Sequence, residues 1–277
     1  MRLSFCGVRG STPASGEDFL RYGGHTSCVA VSKGQEPPSL IIDAGTGLRR
    51  VSALWDNEPF RGTILLSHLH WDHTHGLPFF QSGGKPGHRV ELALPAANCD
   101  PLTLLSRGFG PPHFPIEPTG LGDGWSFERL TEGESIREGF RVLTREIPHK
   151  GGQTFGFRVD YADSSFAYLS DHAPLNLGPG RDGQGELHEA ALALADGVDL
   201  LIHDAQFLAL EFPGVTFLGH ASVEYACALA EEAGVRTLAL FHHSPSRTDD
   251  EVTAIVEGVP RSKVDVLAAE EGMVIDL

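Results

Sequence analysis

Leu66-Ser67-His68-Leu69-His70-Trp71-Asp72-His73 sets three imidazoles and one carboxylate within six positions, directly after the apolar run Thr63-Ile64-Leu65-Leu66. Packing does not call for that combination. His68 and His70 are two apart, so at a strand end they point the same way, and Asp72 and His73 follow in a tight loop where they can serve a second ion. The stretch therefore reads as a metal site at the end of a buried strand.

The chain has 277 residues and no composition shift that marks a boundary, so residues 1–277 are expected to form one domain. Lys and Arg number 21 against 37 Asp and Glu, a net charge of −16. That field repels phosphate backbones, which makes nucleic acid an unfavourable partner. A small anionic substrate stays compatible, because metal ions offset the charge locally. Cys6, Cys28, Cys99 and Cys227 are dispersed without a C-x-x-C pair, which suits reduced thiols. No run approaches the roughly 20 apolar residues of a membrane span, and residues 1–5 read as a strand rather than a leader. These features lead to the expectation of a soluble, cytoplasmic protein with no membrane partner.

Apolar runs bounded by Gly, Pro and Asp predict strands at 3–8, 28–31, 39–42, 63–66 and 90–94, and again at 141–147, 155–161, 165–169, 199–202, 236–241 and 264–267. Helical periodicity appears at 47–55, 186–195, 222–233 and 249–256. Ser222 and Gly234 supply start and stop signals for the third helix. Two sheets face to face with helices outside, an α/β layered sandwich, account for this order. Residues 99–125, rich in Gly, Pro and aromatics, read as a functional loop.

The motif resembles the H-x-H-x-D-H of the metallo-β-lactamase superfamily, matched here by His68, His70, Asp72 and His73. Asp43 in Ile42-Asp43-Ala44-Gly45 resembles the family's early aspartate, His149 in Pro148-His149 its third histidine, Asp171 in Ser170-Asp171 its bridging carboxylate and His242 in Phe241-His242 its last ligand. The resemblance implies an αββα four-layer sandwich with two mixed sheets, and two divalent metal ions, zinc in the first place with manganese as an alternative. It implies that His68, His70 and His149 hold one ion, that Asp72, His73 and His242 hold the other, and that Asp171 bridges them. His243 rivals His242, and the family's T-H-x-S pattern favours His242. Asp43 is expected to orient ligands rather than to bind metal.

Leu201-Ile202-His203-Asp204-Ala205 followed by Gly219-His220-Ala221-Ser222 resembles the acid and histidine pair of the ribonuclease Z and cyclic-nucleotide phosphodiesterase branch. The resemblance implies that Asp204 holds His220 in its donating form near a leaving oxygen, with Asp72 counted among the catalytic groups as well as the ligands. The plain alternative for His220 is a helix-boundary residue before Ser222. Ribonuclease Z enzymes commonly carry a transfer-RNA arm between the third histidine and the bridging aspartate, and the interval from 149 to 171 has no room for one. The opening Phe5-Cys6-Gly7-Val8-Arg9-Gly10 with Gly24-His25-Thr26-Ser27 resembles bacterial phosphodiesterases of this branch, although His25 stands where they carry Asn and reads as a solvated loop residue.

Arg9, Thr26 and Ser27 are candidate phosphate contacts, and Phe109, His113 and Phe114 candidates for stacking on a base. His75 reads as packed or supporting, and His88, His172, His188 and His203 as structural or exposed. The expected function is a binuclear metal phosphodiesterase acting on a cyclic nucleotide or similar small phosphodiester through a hydroxide between the ions, in a protein that forms a homodimer. The alternatives are transfer-RNA 3′ processing of the ribonuclease Z type and a non-catalytic ligand-binding role.

Overall fold

The computed structural model describes residues 1–180 and 182–277. Its strands are β1 (Arg2–Gly7), β2 (Cys28–Ser32), β3 (Leu40–Ile42), β4 (Arg61–Leu65), β5 (Arg89–Pro95), β6 (Trp125–Leu130) and β7 (Gly133–Arg137). They continue with β8 (Phe140–Glu146), β9 (Phe155–Tyr161), β10 (Ser164–Leu169), β11 (Leu200–Asp204), β12 (Thr237–Phe241), β13 (Asp265–Ala268) and β14 (Val274–Asp276). The helices are α1 (Leu48–Leu54), α2 (Trp71–Thr74), α3 (Pro101–Gly108), α4 (Glu189–Ala195), α5 (Phe212–Val215), α6 (Val223–Glu232) and α7 (Asp249–Gly258).

Two mixed sheets result, in the orders β14-β1-β2-β3-β4-β5-β6 and β13-β12-β11-β10-β9-β8-β7. In the first, β3, β4, β5 and β6 run parallel, and in the second β10, β11, β12 and β13 do. Both faces of the central strands are buried, so their sequences are continuously apolar and the period of two only divides the side chains between layers. Phe166 and Tyr168 of β10 and Ile202 of β11 point between the sheets, where they meet Phe5, Ile42, Leu65, Phe157 and Phe241. Their neighbours Ala167, Leu169 and Leu201 point outward to Leu194 of α4 and Leu229 of α6. Ile41 and Ile64 likewise face Leu48 of α1 and Leu105 of α3. The four-layer sandwich expected from the motif order is the fold observed.

Three strands, β6, β7 and β14, and the helices α2, α3 and α5 went unforeseen. Residues 99–125 are not a loop throughout: Asp100 accepts a hydrogen bond from Thr103 N at 2.8 Å and Pro101 opens α3. Within that helix only Leu105 is fully buried, too little to leave a periodic trace. β6 and β7 are edge strands rich in charge, tied by Arg137 to Glu91 and to Glu128. Ion pairs on a polar edge carry no apolar alternation for a sequence reading to find. None of the described helices is long and apolar enough to cross a membrane.

Truncating Phe157 to Ala, between the sheets, is expected to lower unfolding free energy by about 3–5 kcal/mol in urea titrations. Ile136→Ala, on the β7 edge at 69% exposure, should change it by less than about 0.5 kcal/mol. Equal effects of the two would contradict a core placed between the sheets.

Candidate metal centre

The functional side chains gather past the ends of strands of both sheets. Asp43 follows β3, His68 lies just past β4, His149 follows β8, Asp171 follows β10, and His242 follows β12, while Asp204 closes β11. Asp43, Asp171 and His242 hold positive φ angles of 59°, 54° and 59°, in the left-handed region. Each of these residues therefore leaves the extended backbone just past its strand, in a conformation that a surrounding structure must enforce.

Ligating atoms fall into two sets that share Asp171: His68, His70, His149 and Asp171, then Asp72, His73, His242 and Asp171; a third group, Asp204, His220 and His242, overlaps the second at His242. Asp171 belongs to both and turns one oxygen to each. Its Oδ1 lies 3.7 Å from His68 Nε2 and 3.6 Å from His149 Nε2. Its Oδ2 lies 3.0 Å from His73 Nε2 and 3.2 Å from His242 Nε2. Asp72 Oδ2 completes the second set, 3.3 Å from His73 Nε2 and 3.1 Å from His242 Nε2.

Hydrogen bonds on the far side of the rings fix which nitrogen faces inward. His73 Nδ1–H donates to Asp43 Oδ2 at 2.8 Å and His149 Nδ1–H to the Gly219 carbonyl at 2.7 Å. Ser67 Oγ donates to Asp43 at 2.8 Å and accepts from His68 Nδ1 at 3.0 Å, so His68 Nε2 keeps its lone pair, buried and without a partner. Tyr168 O–H and Ser67 N–H also end on Asp43, at 2.7 Å each. Ser11 N–H holds Asp72 Oδ2 at 2.6 Å.

Inward nitrogens meet one another at 3.3 Å (His70 Nδ1 and His149 Nε2) and 3.4 Å (His73 Nε2 and His242 Nε2). Two lone pairs converge stably at such distances around a cation. Burial keeps His68, His70 and His149 below the usual histidine range, in the neutral form that a metal requires. Burial also opposes ionisation of Asp171, yet the rings of His242, His73 and His68 outweigh it and hold the carboxyl well below its ordinary value. His73 is driven the other way: burial disfavours its charge, but Asp72, Asp171 and Asp43 overcome it, which registers the negative charge concentrated in the second set. Imidazoles with inward lone pairs plus carboxylates fit divalent cations at both sets.

Asp204 and His220 sit against this cluster. His220 Nδ1–H donates to Asp204 Oδ2 at 2.9 Å and lies 3.7 Å from Asp171 Oδ1, its ring stacked on His242 with centroids 5.0 Å apart. Asp204 accepts further bonds from the backbone N–H groups of His172, Gln206 and Ala221. Burial works against charge on His220, but Asp204 prevails and the imidazolium is pushed up to about 9.

The remaining expected residues lie elsewhere. Arg9 is fully buried, and its guanidinium is consumed by the carbonyls of Gly23, Ser244 and Arg247 and by Asp249. Thr26 and Ser27 are fully buried too, Thr26 Oγ1 accepting from Thr46 N at 2.9 Å. All three are corrected from phosphate contacts to structural residues, since they are packed inside the fold and the polar groups of Arg9 and Thr26 are taken by partners within the protein. Phe109, buried in the outer core, packs edge-on against Phe114, while His113 and Phe114 face a groove beside the centre. His75 is exposed and stacks on Trp71 instead of packing inward, and His25 is half-buried on the groove wall. His243 turns away from the ligand sets and donates from Nε2 to the Ala269 carbonyl. Sequence reasoning missed Ser11, Ser67, Tyr168 and Gly219. Their contribution is a hydrogen bond from a distant segment, and only Ser67, inside the motif, lies where a signal could have pointed to it.

An αββα sandwich with histidine and carboxylate donors converging at its strand ends defines a metal-dependent hydrolase, and the fold with its donor cluster implies divalent metal ions. The profile of the beta-lactamase superfamily domain matches residues 39–243, and the chain belongs to that superfamily. It is similar to ribonuclease Z of Methanosarcina acetivorans, 25% identical over 310 aligned positions covering 100% of this chain and 98% of the relative. In fold it resembles the metallo-beta-lactamase fold protein YhfI of Bacillus subtilis, with a TM-score of 0.72, 18% identity and 99% of each chain covered. A diphosphatase of the PhnP family matches equally, with a TM-score of 0.72 at 16% identity over 100% of this chain and 97% of the other.

Asp43→Ala removes the acceptor shared by His73, Ser67 and Tyr168. Metal affinity, measured by competition with a chromophoric chelator, is expected to fall about 10-fold to 100-fold. Unfolding free energy should drop by at least about 2 kcal/mol, because buried donors lose their partner. Metal binding equal to wild type would show that His73 is positioned by other contacts.

Proposed function

We propose that the protein is a phosphodiesterase that hydrolyses a small phosphodiester, a cyclic nucleotide or a compound like it. The observation that carries this reading is the Asp204–His220 pair set 3.7 Å from the shared carboxylate, where a proton donor serves a leaving group beside a metal-held phosphoryl group. His68, His70, His149 and Asp171 would hold one ion, and Asp72, His73, His242 and Asp171 the other, zinc in the first place. When bound, such ions neutralise charge on phosphoryl oxygens and make water acidic enough to attack near neutral pH.

The residues of the chain do the rest. Asp204 accepts the Nδ1–H of His220 and favours its imidazolium, in which Nε2 also carries an N–H that is free to donate. A phosphodiester with a poor leaving group needs that proton on the departing oxygen as the bond to phosphorus breaks. Ser11 N–H keeps Asp72 turned to its ligand side, and Gly219 sets both the His149 ring and, as the residue before it, the approach of His220. The ribonuclease Z relative is named for action on RNA, whose backbone is a chain of phosphodiesters, which supports the reaction class. Size favours a small substrate: β9 and β10 join through a tight turn, Tyr161 pairing with Ser164, so no arm projects there. The net charge of −16 also disfavours a large polyanion.

Metal analysis is expected to find two equivalents per chain, with Asp171→Ala lowering metal content and turnover together. His220→Ala should keep its metal and slow hydrolysis of a cyclic nucleotide by about 100-fold to 10,000-fold. A p-nitrophenyl phosphodiester, which leaves without a proton, should show little of that loss. An unchanged rate on the cyclic nucleotide would remove His220 from the reaction, and efficient cleavage of precursor transfer RNA with none of cyclic nucleotides would replace this reading with the ribonuclease Z activity.

A further inference from the structure

Beside the metal centre runs a groove of about 1650 Å³, and the two share the single-turn helix α2 as a wall. Asp72 and His73 face the ligand sets from that turn, whereas Trp71, Thr74 and His75 line the groove. A nucleoside occupies only a few hundred Å³, so the space exceeds what a single cyclic nucleotide needs.

Its charge is opposite to that of the chain. Arg49, Lys85 and Arg107 line it, along with the imidazoles of His25, His75 and His113, and no Asp or Glu among the described residues does. In a protein with 37 acidic residues against 21 basic ones, that exclusion is unusual. Several arginines elsewhere are neutralised: Arg50 pairs with Glu271 at 2.6 Å, Arg89 with Glu138 at 2.8 Å and Arg247 with Glu211 at 2.8 Å. Arg49, next in sequence to Arg50, turns into the groove, and among the described residues neither it nor Lys85 or Arg107 makes an ion pair. Unpaired cations in a concave site attract anions, and arginine matches a phosphoryl group with paired donors.

The same walls carry aromatic faces. Trp71 is 66% exposed and lies parallel to His75 at 5.5 Å, and Phe79, 59% exposed, meets Phe114 edge-on at 5.9 Å. Large rings left in solvent beside unpaired cations match the two parts of a nucleotide, a base that stacks and a phosphate that is gripped.

We infer that this groove binds the far end of the substrate, and that the substrate is a nucleotide phosphodiester carrying a second phosphoryl group beyond the one cleaved. The inference rests on the phosphodiesterase reading and narrows it. The base of the distal nucleotide stacks on Trp71 and Phe79, and its phosphate pairs with Arg49 and Arg107. A mononucleotide ring alone would leave these cations unused.

The test compares two linear dinucleotides, 5′-phosphorylated ApA and unphosphorylated ApA, on the metal-loaded protein. Wild type is expected to show about 10-fold or greater kcat/KM for the phosphorylated form, the worth of one charge-assisted contact. Arg49→Gln with Arg107→Gln should erase that preference, bringing kcat/KM for the phosphorylated form down to that of unphosphorylated ApA measured on the same variant. A preference retained in the double variant, or absent in wild type, overturns the inference. Calorimetric titration with 5′-AMP separates it from a regulatory site. Loss of AMP affinity in the double variant together with competitive inhibition of dinucleotide cleavage supports a substrate subsite, whereas non-competitive binding overturns it. If no phosphodiester is cleaved at all, the phosphodiesterase reading fails, while AMP titration of the two proteins still reports on the groove itself.

Discussion

One buried carboxylate connects the two halves of the molecule. Asp171 presents Oδ1 to His68 past β4 and His149 past β8, and Oδ2 to His73 of α2 and to His242 after β12. Those groups come from both sheets, so the distance between sheets and the position of the donors are one variable. The inter-sheet core of Phe5, Phe157, Phe166 and Phe241 sets that distance to within the tolerance of close packing. The positive φ of Asp171 belongs to the same arrangement: an extended conformation at that residue would carry the carboxylate along the strand direction and away from one of the two sets.

A layer of hydrogen bonds behind the ligands converts this geometry into chemistry. Asp43 gathers His73, Ser67 and Tyr168, and Ser67 in turn orients His68, so a single acid determines the tautomer of two rings from β3. A comparable arrangement supports the dyad. His203 Nδ1–H donates to the Asp204 carbonyl at 2.7 Å, which leaves its Nε2 to accept His172 Nδ1–H at 3.1 Å. Because His172 follows Asp171 and His203 precedes Asp204, this buried imidazole pair clamps the two strand ends together. The positive φ at Asp171 and the placement of Asp204 thereby share one support, and proton donor and ligands keep a common frame.

How much of this could be seen in the sequence depended on distance along the chain. The motif at 68–73 is compact enough to declare its chemistry, and strands buried on both faces betray themselves as unbroken apolar runs. His149, Asp171 and His242 were found through their order and flanking residues, not through any physical signal of their own. What escaped was decided by partners far away. Arg9 has the look of a phosphate contact until the carbonyls of Ser244 and Arg247 close around it. The edge strands β6 and β7 cohere through Arg137 and its glutamates, and α3 is too short to show its periodicity. The cations of the groove lie at positions 49, 85 and 107 and converge only after folding.

The sign of the charge at each place resolves an apparent conflict between an acidic chain and the anionic substrate proposed for it. Carboxylates dominate the second ligand set strongly enough to raise His73 above its usual range against its burial, and that concentration of negative charge favours cations. With cations in place the local field reverses, and the screening length of about 8–10 Å at physiological salt separates it from the acidic surface. Beyond that length the field of the whole protein still disfavours a long polyanion. Within it, a short ligand meets only the cations at the centre and those on the groove wall. For the proposed substrate, such a distribution would discriminate by length of anion more than by identity of base, through Coulombic terms that every contact of the ligand experiences at once.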